Sequence, residues 1–279
     1  MGLKSLRLNP CVLLLLIPSN NSDPLRLSQF LLSQCLERGV QLHHPAKAAS
    51  VSKDIRDELS SVRIAYTDSS HEMDIPCTRL IIAAGAWSPE VFQTLFPGAK
   101  TKLPISPLAG HSLVLRSPRW TTEHEKKGCH AVFTTDEAGY SPEIFSRMGG
   151  EIYIAGLNSS SIPLPALATE SKIEENAVKQ LQTTSKRLLG QPGDVEDLEL
   201  VRKGLCFRPV TDRGTPILGR IPDKVLGKGI STRGGGDGGV FLAAGHGPWG
   251  ISMSLGTGKV IAEMVMGLKT SADVGELGL

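Results

Sequence analysis

The sequence predicts an α/β chain, α+β overall, in which strand–turn–helix segments enclose a middle region of short strands. Three observations predict it. Val240–Ala244 is a short apolar run of strand type, followed by Gly245-His246-Gly247-Pro248-Trp249-Gly250 and then by apolar residues at helical spacing (251, 255, 261, 264, 265). Leu80–Ala84 repeats the arrangement, running into Gly85-Ala86-Trp87-Ser88-Pro89-Glu90. Between them, Ser112–Arg116, Ala131–Thr134, Glu143–Arg147 and Glu151–Ala155 are strand-like runs separated by turn clusters.

Taken in order, residues 1–22 read poorly as a fold. Lys4 and Arg7 precede the apolar run Val12–Ile17, but Asn20-Asn21-Ser22 makes a poor signal-peptide cleavage site. The run is far too short to span a bilayer. Leu6 stands where N-myristoylation of Gly2 wants Ser or Thr. A buried strand and a non-native leader are the two readings. From Asp23 the pattern is clear: Asp23 as N-cap, Pro24 first in a helix, Leu27, Phe30, Leu31, Cys35 and Leu36 on one face, and Gly39 at the end. Val40–His43 reads as a strand and Val62–Tyr66 as another, with Ser52–Ser61 and the Ser69-Ser70 turn as separators. In the second glycine segment, Ser88 is expected to cap a helix beginning at Pro89. Thr169–Leu189 reads as one long helix with an acidic start, a basic finish and Gly190 beyond it. Leu198–Phe207 returns as a strand, and Gly227–Gly239 is a glycine-rich loop.

Composition sets loose bounds. A hydrophobic content of 40%, a charged content of 21% and a net charge of +2 over 279 residues describe an ordinary globular chain. No basic patch interleaved with aromatics argues for nucleic acid, and no transmembrane segment is expected. Five cysteines (Cys11, Cys35, Cys77, Cys129, Cys206) are scattered and never form a C-x-x-C pair. That pattern fits a reducing, cytoplasmic compartment and argues against a metal site or a disulfide framework.

Gly245, Gly247 and Gly250 spell G-x-G-x-x-G, yet the dinucleotide reading fails. It needs a further strand with an acidic residue about twenty positions on, whereas the helix uses most of the 29 residues after Gly250. Pro248 also removes an amide. Gly258-Lys259 is no phosphate loop, because Val260 follows it and Met253 stands where the first glycine belongs. What remains is a turn that aims backbone N–H groups and a helix dipole at one spot, or a plain packing turn.

Three stretches in register resemble the flavin-dependent D-amino-acid oxidase superfamily, which includes glycine and sarcosine oxidases. They are Ala-Ala-Gly-Ala-Trp-Ser at 83–88, Arg-Pro-x-Thr…Gly-x-Pro-x-x-Gly at 208–219, and Gly-His-Gly…Gly at 245–250. Pro-Trp-Gly-Ile at 248–251 looks most like a fungal branch of oxidoreductases. The resemblance implies an FAD-binding Rossmann-like domain (23–103 and 211–270), an inserted antiparallel substrate domain (104–210) and a tail (271–279). It also implies a βαβ unit ahead of Asp23 that this sequence does not contain, so the chain is expected to be an incomplete form. By resemblance Ala84, Gly85 and Trp87 line the flavin, Gly245 and Gly247 shape the second turn, and Gly250, Ile251 and Ser252 face the pyrimidine end of the ring. Val51 either passes the adenine or packs in the core. Arg208 matches the arginine that binds a substrate carboxylate, and His246 is the nearby candidate proton acceptor. Ala109, in the Pro107–His111 entry to the substrate domain, replaces a commonly basic residue. The implied activity is hydride transfer from an amine or amino-acid-like small molecule to FAD. The rival is a non-catalytic interaction module of intracellular (endosomal) trafficking that keeps the fold.

Overall fold

The computed structural model describes residues 15–19, 24–135, 140–191 and 196–279. In chain order the first elements are β1 (Leu15–Ser19), α1 (Pro24–Glu37), β2 (Ala46–Lys53), β3 (Leu59–Tyr66), β4 (Glu72–Pro76), β5 (Arg79–Ile82), α2 (Ser88–Leu95) and β6 (Ser106–Arg116). Next come α3 (Thr122–Glu125), β7 (Cys129–Phe133), β8 (Glu143–Ser146), β9 (Glu151–Ser159), α4 (Glu175–Leu189) and β10 (Glu199–Val210). β11 (Ile217–Ile221), α5 (Asp223–Leu226), β12 (Gly239–Ala244) and α6 (Gly250–Val265) complete the series. The chain divides into two compact units, residues 1–23 with 108–207 and residues 24–107 with 208–279.

The first unit is built on a six-stranded sheet in the order β1-β7-β8-β9-β6-β10. The ladders of β1 with β7, β7 with β8, β8 with β9 and β9 with β6 are antiparallel. Inward side chains of one face, among them Leu113, Leu115, Ile152 and Ile154, bury against Val178 and Leu181 of α4. Those two helical residues lie three apart, the spacing that puts apolar side chains on one stripe. The α4 stripe begins later than the spacing predicts. Thr169 belongs to a separate 3-10 turn, Ala168–Glu170, whose Glu170 Oε2 accepts from Leu167 N–H at 3.2 Å. The Glu174 N–H is then taken by the buried His111 Nε2 at 3.1 Å, so the regular helix opens at Glu175.

The second unit holds two three-stranded sheets, β11-β12-β5 and β2-β3-β4, around a core that includes Leu59, Ile82, Phe92, Phe96, Ile217 and Leu242. Several expectations shift here. Val40–His43 is not a strand: the Val40 N–H closes α1 by bonding to Cys35 O at 3.1 Å, and Gly39 turns the chain at φ 83°. Pairing starts only at Ala46. β4 went unforeseen because Glu72-Met73-Asp74-Ile75 is an exposed edge strand, held to β3 partly by a two-pronged Arg63–Asp74 pair. Ser88 does not cap α2. The turn Gly85–Trp87 is already helical, Ser88 N–H bonds to Gly85 O, and Ser88 becomes the first residue of the helix. α1 forms with its predicted end but buries no residue, and Phe30 is 61% exposed. The leader reading of residues 1–14 and 20–22 and the Asp23 cap lie outside the described residues; Leu15–Ser19 pairs with β7 as a strand.

Candidate active site

β5 and β12 are parallel neighbours, with Leu80 opposite Val240 and Ile82 opposite Leu242. Parallel neighbours end on the same side of a sheet, where open α/β folds bind ligands. Each strand here delivers the same device to that edge. β5 leads to the 3-10 turn Gly85–Trp87 and α2; β12 leads to the 3-10 turn Gly247–Trp249 and α6. The first turn packs against β12 itself. Neither helix has a side-chain cap; in α2 the Ser88 N–H is taken by Gly85 O and Pro89 has none, whereas α6 opens at Gly250 with no side chain on its first N–H groups.

The glycines divide by what they face. Gly85 (φ 54°) has no heavy atom within 4 Å of where a Cβ would stand. Gly247 (φ 55°) has only Val210 Cγ1, at 3.9 Å. Both positions are therefore bare backbone facing open space. Gly245 is different: at φ 85°, its Cβ would lie 2.7 Å from Thr211 Cγ2, so packing alone demands glycine there. Gly250 has helical dihedrals and opens α6.

Around these turns Ala84 and Trp87 are partly buried, while Ile251 is 48% exposed at the start of α6. Of the helically spaced positions in α6, Ile261 is buried beside Val260, and Met264 and Val265 pack against them, while Ile251 and Leu255 are exposed. The Ser252 hydroxyl donates to Trp249 O at 3.0 Å and locks the turn onto the helix. Ser88 is fully buried, yet its Oγ has no hydrogen-bond partner among the described residues. Sequence reasoning treated it as a cap and missed that orphan. Val51 lies apart, in β2 opposite Val62, and packs on the core.

Arg208 stands near the end of β10, partly buried. Val210 Cγ1, two residues on, lies 3.9 Å from where a Cβ on Gly247 would stand. The period of two along a strand puts Arg208 on the same face as Val210, about 7 Å back along the chain. His246 Nε2 lies 2.9 Å from Thr257 Oγ1, about two turns into α6. Burial holds its pKa below the usual 6.5, so the ring is neutral at neutral pH. Arg213, within the same segment as Arg208, grips the main-chain oxygens of Pro216, Leu277 and Gly278 at 3.0, 2.9 and 2.9 Å. Residues expected to form a tail are thus fastened to β11.

With this geometry in hand, comparison with known proteins decides the family. The profile of the DAO family, FAD dependent oxidoreductase, matches residues 9–264. The chain belongs to that family. Among curated relatives, a D-amino acid dehydrogenase of Rhizobium rhizogenes is 26% identical over 272 residues, covering 95% of this chain and 54% of the relative. A glycine oxidase of Geobacillus kaustophilus is 24% identical over 242 residues, 83% of this chain and 53% of the relative. A Schizosaccharomyces pombe protein named as an oxidoreductase is 26% identical over 231 residues, 79% of this chain and 50% of the relative. The crystal structure of the Geobacillus kaustophilus enzyme superposes with a TM-score of 0.63 at 21% identity, over 91% of this chain and 56% of that one, which shows a shared fold. The chain spans about half the length of the curated relatives it matches. Among the described residues no helix is long and apolar enough to cross a membrane, and no group of three or more His, Cys, Asp or Glu is placed to hold a metal.

Proposed function

We propose that this chain supplies the flavin-facing and substrate-facing parts of an FAD-dependent oxidoreductase acting on an amine or amino-acid-like substrate. The observation that carries the reading is the pair of glycine turns set side by side at the carboxyl ends of β5 and β12. A flat ring needs bare backbone on which to lie, and Gly85 and Gly247 offer it. The orphaned Ser88 Oγ marks the same turn as one built for more than packing. Ala84, Gly85 and Trp87 would hold the ring from one side, and Gly250, Ile251 and Ser252 from the start of α6. The N–H end of α6, at Gly250, Ile251 and Ser252, would favour negative charge on a flavin bound there and so would raise its oxidising power. Bound FAD would accept a hydride from the amine-bearing carbon of the substrate.

Arg208, on the face of β10 that looks toward Gly247, holds a substrate carboxylate through two parallel hydrogen bonds. His246 is neutral and tied to Thr257, which suits it to fixing the turn on α6 better than to taking a proton. Residues 24–107 and 208–279 carry the flavin-facing turns, and the six-stranded unit supplies the substrate part. The curated relatives named D-amino acid dehydrogenase and glycine oxidase support the substrate class.

The test is the visible spectrum after gel filtration in the presence of FAD. It is taken on the 279-residue chain and on the same chain fused behind a dinucleotide-binding βαβ unit from a relative. Retained flavin absorption in either protein, bleached by an amino acid without air, is the expected result. Colourless protein in both cases sinks the proposal. Retained flavin that no amine or amino acid reduces favours the non-catalytic interaction module.

A further inference from the structure

The glycine-rich loop before β12 belongs to none of the machinery above. It sits at the opposite end of that strand from the Gly245–Gly250 turn, on the order of 20 Å away by strand rise. Residues 233–236 and 238 together with Arg220, Phe241 and Met264 enclose a hollow of about 310 Å³. Phe241 and Met264 make its apolar floor, both part of the core on which α6 packs. Its rim is two guanidiniums and bare main chain, with no carboxylate among the lining residues.

Each guanidinium is steadied from behind. Arg220 Nη2 donates to Thr232 Oγ1 at 2.6 Å and Asp223 Oδ1 at 3.3 Å. Arg233 Nε lies 3.9 Å from Glu58 Oε2, too far for a hydrogen bond, and is buried with no hydrogen-bond partner. The N–H groups of Gly234, Gly235, Gly236 and Gly238 likewise donate to nothing among the described residues. Gly235 and Gly236 need glycine for their φ of 68° and 86°. Gly234 does not: its φ is outside that region and a Cβ would meet nothing within 4 Å. Neither packing nor backbone strain explains the missing side chain at 234, whereas an approaching ligand does.

Two guanidiniums and a row of free amides suit an oxyanion with several acceptor oxygens, and the floor suits a small flat apolar body. We propose that this hollow binds a small organic phosphate monoester, its phosphate on Arg233, Arg220 and the glycine amides and its apolar body on Phe241 and Met264.

Phenyl phosphate is the probe, titrated calorimetrically into the 279-residue chain without flavin, so the outcome is independent of the oxidoreductase reading. Saturable binding is expected, with inorganic phosphate and benzoate each weaker. Arg233→Gln should weaken it at least about tenfold, the loss of one charge-assisted contact. Because Arg233 also neighbours Glu58, Gly234→Val serves as the second variant: it covers the mouth, leaves the melting temperature in place and should weaken binding similarly. Absent binding at millimolar phenyl phosphate overturns the proposal. So does unchanged affinity in Gly234→Val, or inorganic phosphate binding as tightly as the ester.

Discussion

His111 and His246 each use a ring nitrogen to fasten one element to another, and burial depresses the pKa of both, with the nearby Glu174 charge opposing the shift at His111. A folded pKa below the ordinary 6.5 means that the unfolded chain takes up more protons. Their stabilising contribution is therefore whole above the unfolded value and is lost as pH falls below it toward the folded values. The urea midpoint should be flat near neutral pH and decline as pH falls below about 6.5, and His111→Gln should flatten part of that decline. His111→Ala leaves the Glu174 N–H without its acceptor, at a cost of about 1–3 kcal/mol in equilibrium unfolding. The glycines separate in the same way. Gly245→Ala, forced against Thr211, should destabilise the fold by about 1–3 kcal/mol whatever the ligand. Gly85→Ala carries about 1–2 kcal/mol of backbone strain and should also weaken flavin retention, read from the spectrum. Arg208→Lys keeps the charge but loses the fork. It should lower kcat/KM about tenfold or more for amino acids and leave simple amines unaffected.

The elements legible in the sequence were those whose signal is local. β12 and α6 were visible from an apolar run, a glycine turn and a helical stripe, and the β5 segment likewise. What a local pattern does not contain is partnership. Nothing in Leu80–Ile82 says that Val240–Leu242 lies beside it in parallel, and that pairing is what makes a site of two turns. Ser88 and α4 show a second limit: Ser88, expected to cap, instead lies inside a helical turn, and the helix expected from Thr169 starts at Glu175, where a distant histidine takes the Glu174 N–H. α1 shows a third: its periodicity correctly predicts a helix, but a stripe of Phe30, Leu31 and Leu36 does not reveal that none of its residues is buried. Phe30→Glu should therefore change stability by less than about 0.5 kcal/mol, read from the urea midpoint.

At the scale of the whole molecule, a near-neutral chain of 279 residues passes twice through each of two units. Within the six-stranded unit, Cys206 Sγ donates to Gly110 O at 3.7 Å, and a Cβ on Gly204 would lie 2.6 Å from Ser112 Oγ. These two approaches place β6 and β10 antiparallel, so the long segment 108–207 begins beside the strand on which it ends. An insertion whose two ends meet behaves as a cassette. Residues 108–207 could be exchanged for another sheet without separating the chain ends left behind, provided the new sheet keeps an edge on which β1 can pair. Such an exchange would leave the glycine turns after β5 and β12 untouched, because both lie in the other unit.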